Sequence, residues 1–449
     1  MQATPPAGPQ PDAVTHRRVL RIALPIVLSN ATVPLLGAVD TGVIGQMGQA
    51  APIGAVGLGA VVLASFYWIF GFLRMGTTGF VAQARGAGDA PEAAAHLARA
   101  LMIAGAAGLV LVLAQQALWA AAFAIAPASA EVESLARQYL AIRIWGAPAT
   151  IALYALTGWL IAHERTRGVL VLQLWMNGLN IVLDLWFVLG LGWGIGGVAS
   201  ATLIAEYAGL GAGLWLCRGA FAGGLWPHRS RLFDRATLWR MFVVNGDIML
   251  RSILLQGAFT TFTLMGAGRG DVTLAANQVL MQFMEITAYA LDGFAFAAEA
   301  LVGTAIGARS RKALSQSARI ASLWGAGGAL ALGLFFALAG PWLIDLLTTA
   351  PDVRSEARVY LYWVALLPVV GVASWMFDGI FIGATWTRAM RNMMAISVAF
   401  YALALVVLVP AFGNHGLWLA LLVLLAARGV TMAMAYPRLA AGVGEASVA

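Results

Sequence analysis

Residues 132–140 read VESLARQYL and residues 353–361 read VRSEARVYL. Sliding the chain on itself by the 221 residues that separate them lays Val132, Ser134, Ala136, Arg137, Tyr139 and Leu140 on Val353, Ser355, Ala357, Arg358, Tyr360 and Leu361. The register then holds without a gap. Downstream, Gly158, Ile161, Thr166 and Arg167 meet Gly379, Ile382, Thr387 and Arg388; upstream, Val81, Ala84, Gly86 and Ala87 meet Val302, Ala305, Gly307 and Ala308. A shared apolar composition does not align arginine with arginine and tyrosine with tyrosine. The chain is therefore a duplication.

Composition says what is duplicated. Of the 449 residues 61% are hydrophobic and 10% charged, against roughly 25% charged in a soluble domain. Apolar runs of about 18 residues or more, each enough to cross a ~30 Å hydrocarbon core as a helix, recur along nearly the whole chain. Their breaks predict spans at 19–45, 54–80, 97–125, 134–161, 168–190, 195–217, 239–265, 273–304, 314–345, 356–384, 391–411 and 415–437. The expected fold class is an all-α polytopic membrane protein, with twelve transmembrane helices in two six-helix lobes around a central cavity. Because 221 residues hold six spans, the lobes share orientation and are related by a pseudo-twofold axis along the membrane normal.

The longest polar interruption, from Arg218 to Arg235 with Gly223, Gly224 and Pro227, reads as the linker between halves. The expected organisation is a disordered cytoplasmic tail at 1–16, an N-lobe at 17–217, a cytoplasmic linker at 218–238, a C-lobe at 239–438 and a tail at 439–449. The opening MQATPPAGPQPDAVT lacks the charged start and apolar core of a signal peptide.

The net charge of +7 sits in short loops rather than on one soluble face, so it marks topology and not nucleic-acid binding. Arg17, Arg18, Arg21, Arg85, Arg165, Arg167, Arg229, Arg231, Arg235, Arg309, Arg311, Lys312, Arg388, Arg391 and Arg438 fall on one side. That side is cytoplasmic by the positive-inside rule, so the expectation is a multi-pass protein of a bacterial-type inner membrane with both termini in the cytoplasm. The opposite loops are short or acidic, as at Gln46 to Pro52, Glu131 with Glu133, and Asp345 with Asp352. Cys217 is the single cysteine, so no disulfide or cysteine metal site forms within one chain. There is no P-loop, HExxH or CxxC, and GLGWGIGG at 190–197 follows no strand. The expectation is a monomer among membrane lipids with no enzymatic activity, no cofactor and no resident metal.

A charge at mid-bilayer costs on the order of 3 kcal/mol, so each one kept there is a functional candidate. Asp40 lies in the first span beyond Pro25 and Pro34, either of which can kink a helix. The blander reading leaves Asp40 hydrated near the outer end. In the fifth span Gln173, Asn177, Asn180 and Asp184 are spaced 4, 3 and 4, which puts all of them on one face. Desolvation and any neighbouring carboxylate penalise the charged form of such an acid, which makes it a candidate to bind and release a proton. Interhelical hydrogen bonding alone explains the amides well and Asp184 poorly. In the eighth span Gln278, Glu285, Asp292 and Glu299 recur every seven residues. Asp247, four residues before Arg251, reads as an ion pair, and Asp378 is the acid of the tenth span.

Over residues 17 to 438 the chain resembles the multidrug and toxic compound extrusion (MATE) family, in its DinF-like branch. The carrying segments are LRIALPIVLSNATVPLLGAVDTGVIG, FLRMGTTGFVAQARGAGD, YLAIRIWGAPA, NGLNIVLDLWFVLGLGWGIGGVASATLIAEY, NGDIMLRSILLQGAF, TAYALDGFAFAAEALVGTAIGAR and DGIFIGATWTRAMRN. The resemblance implies a secondary active antiporter that exports amphipathic or cationic drugs in exchange for H+ or Na+ by alternating access of two lobes. It also implies an ion-coupling site at Asp40, Tyr139, Asn180, Asp184 and Thr202, with first-helix bending at Pro25; Na+ would sit at Asp40, Asn180 and Asp184. Asn177, Gln278, Glu285, Asp292 and Asp378 remain candidates for the substrate cavity or a second-lobe polar wall. The alternatives are a lipid or oligosaccharide flippase of a related exporter family and, more remotely, a channel. At the offset of 221, Asp40 meets Thr261, Asn180 meets Tyr401 and Asp184 meets Leu405: the scaffold repeats and the charges do not.

Overall fold

A computed structural model describes residues 13–46, 50–125, 128–222 and 229–443. The outer residues of both predicted tails, the middle of the Gln46 to Pro52 loop, and Gly223, Gly224 and Pro227 of the linker lie outside the described residues. The helices of the first half are α1 (His16–Ala31), α2 (Val33–Gly45), α3 (Ala50–Ile69), α4 (Phe72–Gly86), α5 (Ala90–Ile125), α6 (Ala130–Arg143), α7 (Ala147–Ala162), α8 (Thr166–Asp184) and α9 (Gly194–Leu216). A short α10 (Arg229–Leu232) precedes α11 (Arg235–Ala267), α12 (Asp271–Gly307), α13 (Arg311–Leu347), α14 (Pro351–Gly383) and α15 (Thr387–Gly442).

Among the described residues ten helical stretches are long and apolar enough to cross a membrane. The first span is not one of them because it breaks into α1 and α2 at Thr32. The stretch Thr387–Gly442 carries two spans, because Gly413 (φ 60°, ψ −130°) leaves helical geometry in its middle. Twelve membrane helices result, as the sequence predicts.

The described residues form two compact units. One lies within Leu28–Val81 and Asp89–Leu238; the other lies within Met1–Val27, Ala82–Gly88 and Trp239–Ala449. The beginning of the first span and the end of the second thus group with the second half of the sequence.

Within each unit the duplication is legible at the level of single backbone atoms. Glu164 (φ 57°) and Thr385 (φ 51°) are both left-handed residues ending a helix, and they stand 221 positions apart. The amide after each closes the same wide turn: Arg165 N donates to Leu160 O at 2.8 Å, and Trp386 N to Phe381 O at 3.0 Å. This satisfies carbonyls that a helix end leaves unbonded. The close helix crossings repeat as well. A Cβ on Gly158 would sit 2.5 Å from the Arg74 carbonyl oxygen, and the counterpart Gly379 abuts the carbonyl of Ala295, which is the repeat mate of Arg74. In the second unit the repeat mates Gly86 and Gly307 press on the backbones of Thr304 and Gln83. Small residues let membrane helices approach to backbone contact, where lipid offers no hydrophobic drive to pair them.

In the first span the interruption falls at Thr32, whose hydroxyl donates to Ser29 O at 2.7 Å; Pro34 follows in the first turn of α2, while Pro25 lies inside α1. The core of the second unit gathers Phe262, Phe283, Phe336 and Trp418. There Asn277 and Asn414 exchange two hydrogen bonds of 2.9 Å, and the Trp418 indole donates to the Asn277 oxygen at 2.9 Å. At the start of α11 Asp234 accepts from Thr237 N at 2.8 Å, and bonds from the Thr237 side chain and backbone hold its carboxyl below the usual carboxylate range.

Candidate ion-coupling site

The polar face of α8 turns into the first unit. Asn177, Asn180 and Asp184 are buried and Gln173 is half-buried, whereas Leu174 and Trp175 on the opposite face are exposed. The helix ends at Asp184, and the chain continues through a π-helical turn, Leu185–Gly190, in which Leu191 N donates to Trp186 O at 2.9 Å. Single π turns inside α-helices are frequent at functional sites.

The upper half of the face serves the break in the first span. Asn177 Nδ2 donates to Thr32 Oγ1 at 3.0 Å, and Gln173 donates to the Asn177 oxygen at 3.1 Å. The lower half forms the acid cluster. Amide orientation is assigned from the hydrogen-bond network. With the Asn180 nitrogen facing the acids it donates to Asp184 Oδ2 and to Asp40 Oδ1, each at 3.2 Å. The Asn180 oxygen then accepts from the Thr202 hydroxyl at 3.1 Å and from its backbone nitrogen at 3.2 Å. Asp40 and Asp184 thus face the same amide nitrogen, and two carboxyls gathered on one donor disfavour both being charged. Asp184 is 0% and Asn180 1% exposed, and Asp184 Oδ1 has no hydrogen-bond partner among the described residues. Tyr139, on α6, is buried one helical turn before Arg143.

Asp40, Tyr139, Asn180, Asp184 and Thr202 therefore converge in one unit. The second-unit candidates do not. Gln278 and Glu285 are exposed on α12, Asp292 is half-buried and Glu299 is buried, so the spacing of seven does not hold one environment along the helix. Asp378 is buried with two arginines on its Oδ2, Arg428 at 2.6 Å and Arg251. The reading of Asp247 as the partner of Arg251 needs correction. Asp247 takes Arg391 at 2.5 Å and the Thr387 hydroxyl at 3.2 Å, both from α15. Spacing along one helix shows which side chains share a face, but not which neighbouring helix brings a better donor.

Three charged partners escaped the sequence reading: Arg143, Glu206 and Arg428. Arg143 donates to Glu206 through both terminal nitrogens, at 2.7 and 2.9 Å. A signal existed. Arg143 lies four residues after Tyr139, and Glu206 four after Thr202, so each shares a helix face with a residue of the cluster.

Twelve membrane helices in two duplicated halves, with a cluster of acids and amides inside the first unit, describe a repeat-built secondary transporter. The MatE family model matches residues 25–186 and 248–408, two segments whose starts lie 223 residues apart. The chain belongs to this family, the multidrug and toxic compound extrusion transporters. It is 43% identical over 425 residues to "DNA damage-inducible protein F" of Escherichia coli (strain K12), covering 94% of this chain and 92% of that protein. It is 32% identical over 336 residues to a "Probable multidrug resistance protein NorM" of Deinococcus radiodurans, covering 72% and 70%. Among solved structures it resembles the Vibrio cholerae MATE transporter VcmN in the bent form, with a TM-score of 0.85 at 21% identity over 95% of this chain and 97% of that one. A MOP superfamily transporter from Pyrococcus furiosus, described as having a binding pocket of reverse polarity, aligns with a TM-score of 0.85 at 18% identity, covering 96% and 97%.

Proposed function

We propose that this chain is a secondary active antiporter of the bacterial inner membrane that exports amphipathic or cationic compounds in exchange for protons. The observation that carries the reading is the Asp40–Asp184 pair bridged by Asn180, with Asp184 buried and Asp40 half-buried. Two carboxyls gathered on one amide donor repel as a charged pair, so one proton relieves the repulsion and a second removes the remaining charge from the interior. Loss of that charge lets the broken first span rearrange, with Pro25 and the Thr32 interruption as its compliant points, and releases the substrate outward. Proton entry then drives drug exit. For an uncharged substrate exchanged for one proton, one net charge crossing 100 mV supplies ~2.3 kcal/mol, roughly a fifty-fold gradient before any pH gradient is added; a monovalent cation exchanged for one proton draws on the pH gradient alone.

The amide orientation favours H+ over Na+. The Asn180 N–H points at both carboxylates, and a donor aimed into the site repels a cation where a carbonyl oxygen would hold it. A flippase for phosphate-bearing lipids or sugars would want arginines open to the substrate path. Here the buried Arg143, Arg251 and Arg428 each face a carboxylate.

The test is export from proteoliposomes driven separately by an imposed pH gradient and an imposed Na+ gradient. The reading expects the pH gradient to suffice, and export driven only by Na+ would overturn it.

A further inference from the structure

Arg143 is the last residue of α6, after which the chain turns through a 3₁₀ segment, Ile144–Gly146, into α7. The turn aims the guanidinium at Glu206 on α9, and the two meet fork to fork with 7% and 8% of their surfaces exposed. The pair is built into its surroundings. Gly146 lacks a side chain where the Glu206 carboxylate packs, and the Tyr67 hydroxyl of α3 donates to the Arg143 carbonyl at 3.4 Å. The third guanidinium nitrogen, Nε, makes no hydrogen bond among the described residues.

The pair is also electrically joined to the acid cluster. Arg143 lies one helical turn beyond Tyr139 on α6, and Glu206 one turn beyond Thr202, whose hydroxyl holds the Asn180 that bridges Asp40 and Asp184. The remaining titratable neighbours are Tyr154 of α7, which feels Glu206, and Arg74 of α4, which feels Tyr154. A bidentate pair fixes a guanidinium in direction as well as distance. A desolvated arginine that lost its counter-ion would turn toward the next available carboxylates, which here are Asp40 and Asp184.

We propose that Arg143 and Glu206 are positioning residues for proton coupling: Glu206 holds the Arg143 charge at a fixed standoff from Asp40 and Asp184, and this standoff sets the proton concentration at which the acids load. The proposal rests on the antiport reading above and adds a residue pair that this reading does not use.

The experiment is the external-pH profile of pH-gradient-driven export in proteoliposomes, for wild type, Glu206→Gln, Arg143→Gln and the double variant. Glu206→Gln frees the guanidinium toward the acids, so half-maximal export requires about ten-fold more protons or beyond. Arg143→Gln removes the positive charge and leaves Glu206, so its midpoint shifts the opposite way. The double variant falls between wild type and Arg143→Gln. Coincident midpoints in all variants, with only the rate reduced, mean a purely structural pair and overturn the proposal. If neither single variant reaches the membrane, the double variant decides alone: a midpoint above wild type supports the proposal and an unchanged one overturns it. Asp40→Asn and Asp184→Asn run in parallel, because undiminished export in both defeats the antiport reading itself.

Discussion

Asn180 joins more of the acid cluster than any other side chain, with one amide edge on two carboxyls and the other on Thr202. Thr202→Ala removes an acceptor-side anchor worth about 1 kcal/mol. Its expected consequence is a several-fold loss of export rate with the fold intact, measured by initial efflux rates at equal protein. Asp378 is a contrasting case. Asp378→Asn leaves Arg251 and Arg428 with a neutral partner in a buried site, a change of the kind that costs about 3–5 kcal/mol. Its melting temperature in detergent should fall by several degrees, while the coupling ion stays the same. At this scale the sequence was readable where a polar residue interrupts an apolar stretch at helical spacing, as Asn180 and Asp184 do. It was silent on the Arg143–Glu206 pairing, because that contact joins helix faces 63 residues apart and no spacing rule reports it.

Helix limits were legible from hydropathy breaks, and the two last spans, predicted at 391–411 and 415–437, flank the non-helical Gly413. The interruption between α3 and α4 at Phe70–Gly71 was not, because both sides are apolar and the break adds no polar residue. Nor was the π turn after Asp184, which changes hydrogen-bond register without changing composition. Elements are held here by backbone-to-backbone crossings, which give a sharp expectation. Gly158→Leu and its repeat mate Gly379→Leu each push a side chain into a facing carbonyl. Each should cost about 1–3 kcal/mol, read as a lower melting temperature, whereas Gly246→Ala, with open space around it, should change little. Equal stability in all three would show that the crossings are looser than described.

On the scale of the whole molecule, the scaffold is duplicated and its chemistry is not. Left-handed caps, glycine crossings and the tyrosines at 139 and 360 recur at the fixed offset, while the acid pair, the Arg143–Glu206 fork and the doubly held Asp378 each occur in one unit. Orientation follows from the loops and is open to direct labelling. In a Cys217→Ser background, a membrane-impermeant maleimide added to intact cells should label Glu131→Cys and spare Arg311→Cys; the reverse pattern would invert the topology. The central claim, that proton coupling resides in the paired acids of the first unit, is tested most directly by pH-gradient-driven export in proteoliposomes carrying Asp40→Asn or Asp184→Asn. The account predicts that export falls to background in both variants while each protein remains folded, and undiminished export in both would contradict it.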